Sequence, residues 1–496
     1  MLSFPSAAYA IRRIAGAAVL AIPVLAGPSS ASGQDVAGML DALNQTDSVN
    51  TTDDVKSWQL VFDAWLETSP PPIPVGQAFN LFTVHPGMER WDEISGWAES
   101  NGDLAAAILE SRNRTLFGLP YGEDAVASKY REAGISANVA EGGDLTVVRF
   151  PWLDAMDGIT AFATAEMYRL MELGRADDGL DLALATTFLL RQCCDREFRS
   201  EQDYMITLLT GSLDNLRDVF YLYRDAISSD RFATIARNDL PFLRPDRGRL
   251  LMPEGDKAVA VELLKSVFDR SGQADRDKFA LTFASRQSGL EPLTVFGAGR
   301  RWRLIADIHD SLDSSLERLD LVYDDWWRRW RVQEYDAILS IPSEWDRTNP
   351  IRFAAVLYSI EDVQGLFSVR DYLYSATQGT IMAAGLCAYD KRFSGFPTDI
   401  EATYALAVRA RSNRDPYDRE FAPFKYRRLD GVTRVDTPFG RVRVESGTGF
   451  LYSRGPDRAD NRGETHSDSA SVTGEEADIV FWPPLKALQR EQGLRP

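Results

Sequence analysis

The sequence predicts a mainly α protein: stacked antiparallel helices followed by a small α+β domain at the C-terminus. Three observations predict it. Apolar residues recur at spacings of three and four through residues 152–364, the period of a helix face. The run from Arg300 to Ile341 contains neither Gly nor Pro, the two residues that break helices. From about Arg434 the pattern changes to strand alternation, with Val435, Phe439, Val442 and Val444 set between polar residues, then Gly449-Phe450-Leu451-Tyr452. The 496 residues are 44% hydrophobic and 26% charged, the balance of a globular chain with room for several domains.

The N-terminus reads as a secretory leader, residues 1–33. Arg12 and Arg13 supply the positive charge, Ile14 to Gly27 the apolar run, and Pro28 to Gly33 the small residues a peptidase needs, with Ala31 or Gly33 last removed. A retained membrane anchor is the other reading. The run is shorter than the roughly 20 residues of a span, and Pro23 interrupts it. After cleavage no transmembrane span is expected, and the mature chain belongs in a periplasm or outside the cell. Losing the two leader arginines takes the net charge from −18 to −20. That charge argues against nucleic acid, which needs a basic footprint. Only 8 of the 55 basic residues are Lys, and Arg suits fixed pairing with carboxylates better.

Residues 34–150 form an N-terminal helical region. Val55 to Leu66 is amphipathic through Trp58, Val61, Phe62, Trp65 and Leu66, and it stops at Pro70 to Pro74. Trp91–Trp97 and Asp103–Arg112 are further helices. Residues 151–364 form a helical-hairpin domain. Its first helix starts near Trp152, and Gly174 is placed for a left-handed C-cap. Asp177 or Asp178 is expected to cap the next helix. Tyr204–Ile227, Asp256–Phe268 and Arg276–Ser285 continue the stack. Arg300–Ile341 is expected as one long helix or two joined by a tight kink, and a further helix runs from Pro350 to Gln364. Cys193, Cys194 and Cys387 fit no zinc or disulfide framework. Either one of the first two bridges to Cys387, or all three are small buried apolar residues.

Residues 365–496 carry an ordered series of features. A helix ends near Gly395, followed by Phe396-Pro397 and a short helix over Asp399–Ala410. Next come Asp415-Pro416-Tyr417, Phe424-Lys425-Tyr426-Arg427-Arg428, the stretch Leu451-Tyr452-Ser453-Arg454-Gly455-Pro456-Asp457, and finally Asp478-Ile479-Val480-Phe481-Trp482. This order resembles the globular head of the major pseudopilin of type II secretion systems. The wider chain resembles a group of large exported bacterial helical proteins that end in a similar tail and have no assigned activity. The resemblance implies an architecture rather than a reaction. It departs from the pseudopilins in two ways: the apolar assembly stalk is missing, and the loop over 453–478 is far longer.

In pseudopilins that loop binds calcium. The physical case is independent. Calcium takes six to eight oxygens from carboxylates and carbonyls on a flexible loop. Residues 453–478 offer Asp457, Asp460, Asn461, Glu464, Asp468, Glu475, Glu476 and Asp478, with Gly455 free to make a tight turn. The resemblance favours Asp457, Asp478 and a carbonyl near Arg454 as ligands, with Asp460 next. The ion would be structural, tying the last strand to the sheet.

Other signals are weaker. His85, His309 and His466 are far apart and fit no zinc motif. His466-Ser467-Asp468 holds the letters of a triad, but sequence neighbours do not make its geometry. Asp324-Asp325-Trp326-Trp327-Arg328-Arg329-Trp330 could stack sugars and hydrolyse them between paired acids, or could be a buried helix seam with Arg stacked on Trp. The expected function is therefore a non-enzymatic structural or interaction protein of the envelope, binding a protein partner and steadied by calcium. The alternative is an all-helical carbohydrate-active enzyme working beside Trp326, Trp327 and Trp330.

Overall fold

The computed structural model describes residues 35–245, 249–288, 292–332, 336–467 and 477–495. Residues 1–33, where a leader is expected, lie outside them. Asp35 opens the first helix, α1 (Val36–Asn44), by accepting from the Gly38 amide at 2.7 Å. Then come α2 (Trp58–Glu67), α3 (Trp91–Ser100), α4 (Gly102–Ser111) and the short α5 (Ser128–Glu132). The strands β1 (Asn138–Val139) and β2 (Val148–Arg149) pair antiparallel. The apolar face read at Trp58, Val61 and Phe62 is buried.

Next stand α6 (Trp152–Glu172), α7 (Ala176–Cys193) and α8 (Arg199–Leu222), each packed on the one before. Gly174 has φ +75°, the left-handed turn expected of it. The expected cap by Asp177 or Asp178 does not form. The helix begins one turn earlier, so both acids lie in its first turn, where their charge still suits the positive helix end. Asp178 instead takes the Arg175 guanidinium at 2.7 Å. A fully buried polar knot fixes this body to the N-terminal region. Glu201 accepts from Arg196, from the Tyr121 hydroxyl at 2.9 Å and from the Trp152 indole at 2.8 Å. Burial pushes the Glu201 carboxyl up, and the Arg196 charge opposes that rise.

Beyond α9 (Ser229–Thr234) lie α10 (Gly255–Val267), α11 (Arg276–Ser288), α12 (Pro292–Ala306) and α13 (Leu312–Arg331). Of the two forms expected for Arg300–Ile341, one long helix or two joined by a tight kink, the structure has two helices, but they are separated by residues 307–311 and the second ends at Arg331. Between α12 and α13 the backbone is held sideways: Asp310 N–H donates to Arg352 O at 3.0 Å, and the His309 ring accepts from Ala355 N at 3.1 Å. Ser311 then caps α13 through the Ser314 amide. At the other end Val332 is extended. The helix expected from Pro350 to Gln364 shrinks to α15 (Ala354–Ser359), after α14 (Glu344–Arg347), because the Asn349 side chain gathers the amides of Ile351 and Arg352 into a turn.

The longest helix, α16 (Gln364–Phe393), packs against α8 and α9. It ends at Ser394, which has φ +56°. The expected helix over Asp399–Ala410 is shorter, α17 (Ala402–Leu406). Five strands follow: β3 (Lys425–Arg428), β4 (Thr433–Thr437), β5 (Gly440–Val444), β6 (Gly449–Ser453) and β7 (Ile479–Trp482). They make an antiparallel sheet ordered β3-β6-β7 and a separate β4-β5 hairpin. The last helix, α18 (Leu485–Glu491), returns to α8. The fold is therefore mainly helical, with small antiparallel sheets in the C-terminal region.

One buried apolar cluster runs from Met39 to Trp482 and includes α16 throughout. A smaller cluster, with Val435, Val442, Phe450 and Leu488, joins the hairpin, the sheet and α18. Gly379 marks the closest contact of α16 with the sheet, since a methyl group there would stand 2.3 Å from the Phe481 ring. On α18, Lys486 and Arg490 reach the fully buried Asp218 of α8 at 3.6 and 3.5 Å. Among the described residues no helix is long and apolar enough to cross a membrane. The three cysteines are buried free thiols.

Candidate metal centre

Strand β6 delivers the loop that holds the predicted ligands. At its end, Ser453 donates to the Asp415 carboxylate at 2.7 Å, and the Arg454 amide donates to the same group at 3.1 Å. The Arg454 guanidinium pairs with Asp418 at 2.8 Å. Asp415 also gathers the Tyr417 amide at 3.0 Å, and Asp418 the Glu420 amide at 2.9 Å. Burial raises the Asp415 carboxyl, and the bonds from Ser453, Tyr417 and Arg454 pull it back. Asp415 and Asp418 are anchors to which the sequence reading gave no role. Their signal was present: an Asp-Pro followed by another Asp supplies two side chains able to bond the backbone two residues on.

Gly455 then turns the chain with φ +70°, and a methyl group there would stand 2.4 Å from the Ala477 carbonyl oxygen. Both counts demand glycine. Asp457 follows, half-buried, accepting from the Ala459 amide at 3.1 Å and from the Asn461 side chain at 3.4 Å. Asp460 is exposed and receives the Tyr452 hydroxyl at 3.1 Å and the Arg462 amide at 3.0 Å. Residues 462 and 463 are both left-handed, which curls the loop back toward β7.

Asp478 sits at the centre of that curl with no exposed surface. Its carboxylate accepts from Gly463 N at 2.6 Å and from Asn461 N at 3.3 Å. Burial pushes its carboxyl up to about 7; the two amides lower it, and the neighbouring Asp460 and Asp457 raise it further. The structure thus brings Asp457, Asp460 and Asp478 into one electrostatic neighbourhood. Arg454 lies at the mouth of the loop, with its amide and side chain given to Asp415 and Asp418. Asp468, Glu475 and Glu476 fall outside the described residues, and Glu464 is exposed.

The donors are oxygens on a loop, the kind calcium takes. As placed, they do not close around one point: among the described residues no three His, Cys, Asp or Glu side chains group closely enough to hold a metal ion. The loop is instead closed by its own amides.

The other sequence signals resolve into packing. Trp326 and Trp330 are buried in the core, and Arg331 lies 3.9 Å from the centre of the half-buried Trp327 ring. Asp325 takes Arg329 at 2.8 Å and the Glu344 amide at 2.9 Å, whereas Asp324 faces solvent. Asp325 is taken up by those contacts, and the buried indoles of Trp326 and Trp330 offer no face to a sugar. His466 is half-buried; burial lowers its pKa to about 4, and its ring accepts from Val480 N at 3.1 Å. His309 lies among Phe268, Phe279 and Phe353.

Compared with known families, curated proteins and solved structures, the chain finds no match in any of the three.

Proposed function

We propose that this chain is an exported, non-enzymatic structural or interaction protein of the cell envelope, whose pseudopilin-like C-terminal part is steadied by calcium. The observation that carries the reading is Asp478: a wholly buried carboxylate with two further acids beside it. Charging it in that setting is unfavourable, and a divalent cation among the three would relieve the repulsion. Asp457, Asp460 and Asp478 would hold the ion, with the carbonyl of Arg454 as the fourth donor. The order of a long helix, a short helix and an antiparallel sheet closed by a late strand supports the pseudopilin-like reading. The burial of Trp326 and Trp330 favours a scaffold over a sugar-processing cleft.

The test is the melting temperature of the full mature chain in chelator and in rising calcium. A ligand that binds the folded state alone raises it by mass action. The expected rise saturates by about 1 mM calcium, the range of extracellular calcium modules, and vanishes when Asp457→Asn and Asp460→Asn are combined. A melting temperature indifferent to calcium would sink the calcium reading.

A further inference from the structure

The geometry points to the free edge of β3 as a docking site for an extended acidic segment of a partner protein. The inference does not depend on calcium, because β3 lies on the side of the sheet away from β7.

Three observations converge there. First, β3 is an edge: among the described residues its one strand partner is β6. Leu429 N bonds Thr448 O at 2.9 Å, and Leu429 O accepts from Gly447 N at 2.7 Å, so Leu429 faces β6. Hydrogen-bonding direction alternates along a strand. Tyr426 and Arg428 therefore aim their backbone groups outward, and among the described residues no other segment bonds the β3 backbone. Second, an open cleft of about 540 Å³ lies against this strand, lined by the unbroken run Tyr426 to Asp430 together with Thr398, Ser446 and Gly447. Third, residues 409–428 hold seven Lys or Arg against three acids, in a chain of net charge −18. Two of those acids, Asp415 and Asp418, are buried. Arg411, Arg414 and Arg428 are exposed and form no ion pair among the described residues. Phe424 N donates to Asn413 at 3.0 Å, which sets Arg411 and Arg414 at the entry to β3.

A row of unsatisfied strand groups beside unpaired cations suits a partner that adds a strand and brings carboxylates with it. The plain counter-reading is that basic side chains guard the edge against pairing. The two differ in outcome. A fluorescein-labelled peptide of about ten residues, alternating Glu and Val, is titrated with the full chain and followed by anisotropy. It is expected to bind, and the same peptide with Lys in place of Glu is expected not to bind. Arg428→Glu, which leaves the backbone intact, should weaken binding by about tenfold or more. Arg428→Pro removes an outward N–H without touching the ladder to β6 and should weaken it likewise. Circular dichroism and melting confirm that both variants fold.

Failure of the Glu peptide to bind overturns the proposal in favour of a guarded edge. Equal binding of a peptide of the same length alternating Glu and Pro, which lacks every second N–H that a strand needs, overturns it in favour of bulk charge. Complete displacement of the peptide by phosphatidylserine vesicles overturns it in favour of a membrane surface.

Discussion

Asp478 is where the chemistry of the C-terminal loop concentrates. Its carboxyl stands near 7 in the fold, against an ordinary value of 3.8. The folded state then holds a proton that the unfolded chain releases between those values. Stability from this group is full below about 3.8, declines as pH rises, and is lost through about 7. Between about pH 5 and pH 7.5, without calcium, the wild-type melting temperature should therefore fall more steeply than that of Asp478→Asn, whose side chain does not titrate. Equal slopes would show that the proton is bound elsewhere. Nearby residues show what the sequence could reveal. Gly455 was legible as a turn because only a residue without a side chain fits a left-handed bend. The anchoring of Arg454 by Asp415 and Asp418 was not legible, since about forty residues separate the partners and only the β3-β6 pairing brings them together.

Among the elements, legibility followed local signals. The α6–α7 turn was readable because Gly174 supplies its own conformation. The run over 300–341 left one helix or two open, and it read too long, because lacking Gly and Pro permits a helix without requiring one. What breaks it is tertiary: His309 and Asp310 are held by backbone around Arg352 and Ala355. The placement of α16 was equally hidden. Its apolar surface identified a buried helix but not its neighbours, α8 on one side and β7 on another. Gly379 tests that placement. In Gly379→Ala the new methyl meets the Phe481 ring at 2.3 Å. Overpacking of this kind costs about 1–3 kcal/mol, although alanine otherwise favours a helix. Denaturant unfolding of the variant should show that loss. A gain in stability would mean that α16 and β7 are not in contact.

For the whole molecule, the continuous core makes the strongest statement. Buried residues from α2 to β7 belong to one apolar cluster, and α18 carries Lys486 and Arg490 back to Asp218 on α8. Helical body and C-terminal sheet should therefore melt together. Calorimetry of the chain from residue 34 onward is expected to give a single transition. Truncation after residue 364 removes α16 from the surface of α8 and should yield an aggregating chain. Two well-separated transitions, or a soluble cooperative 34–364 fragment, would divide the molecule where the sequence pattern changes. At this scale composition was informative about charge and helix content, and silent about how the two regions share a core.

Whether three carboxylates at the loop take one cation can be read with terbium. Terbium substitutes for calcium at oxygen sites and emits when an excited aromatic lies close by. The Tyr452 hydroxyl is 3.1 Å from Asp460. Sensitised emission is expected from the full chain, displaced by calcium at about 1 mM or below and lacking in the Asp457→Asn, Asp460→Asn variant. Emission of equal strength from that variant, or none from the wild type, would contradict it.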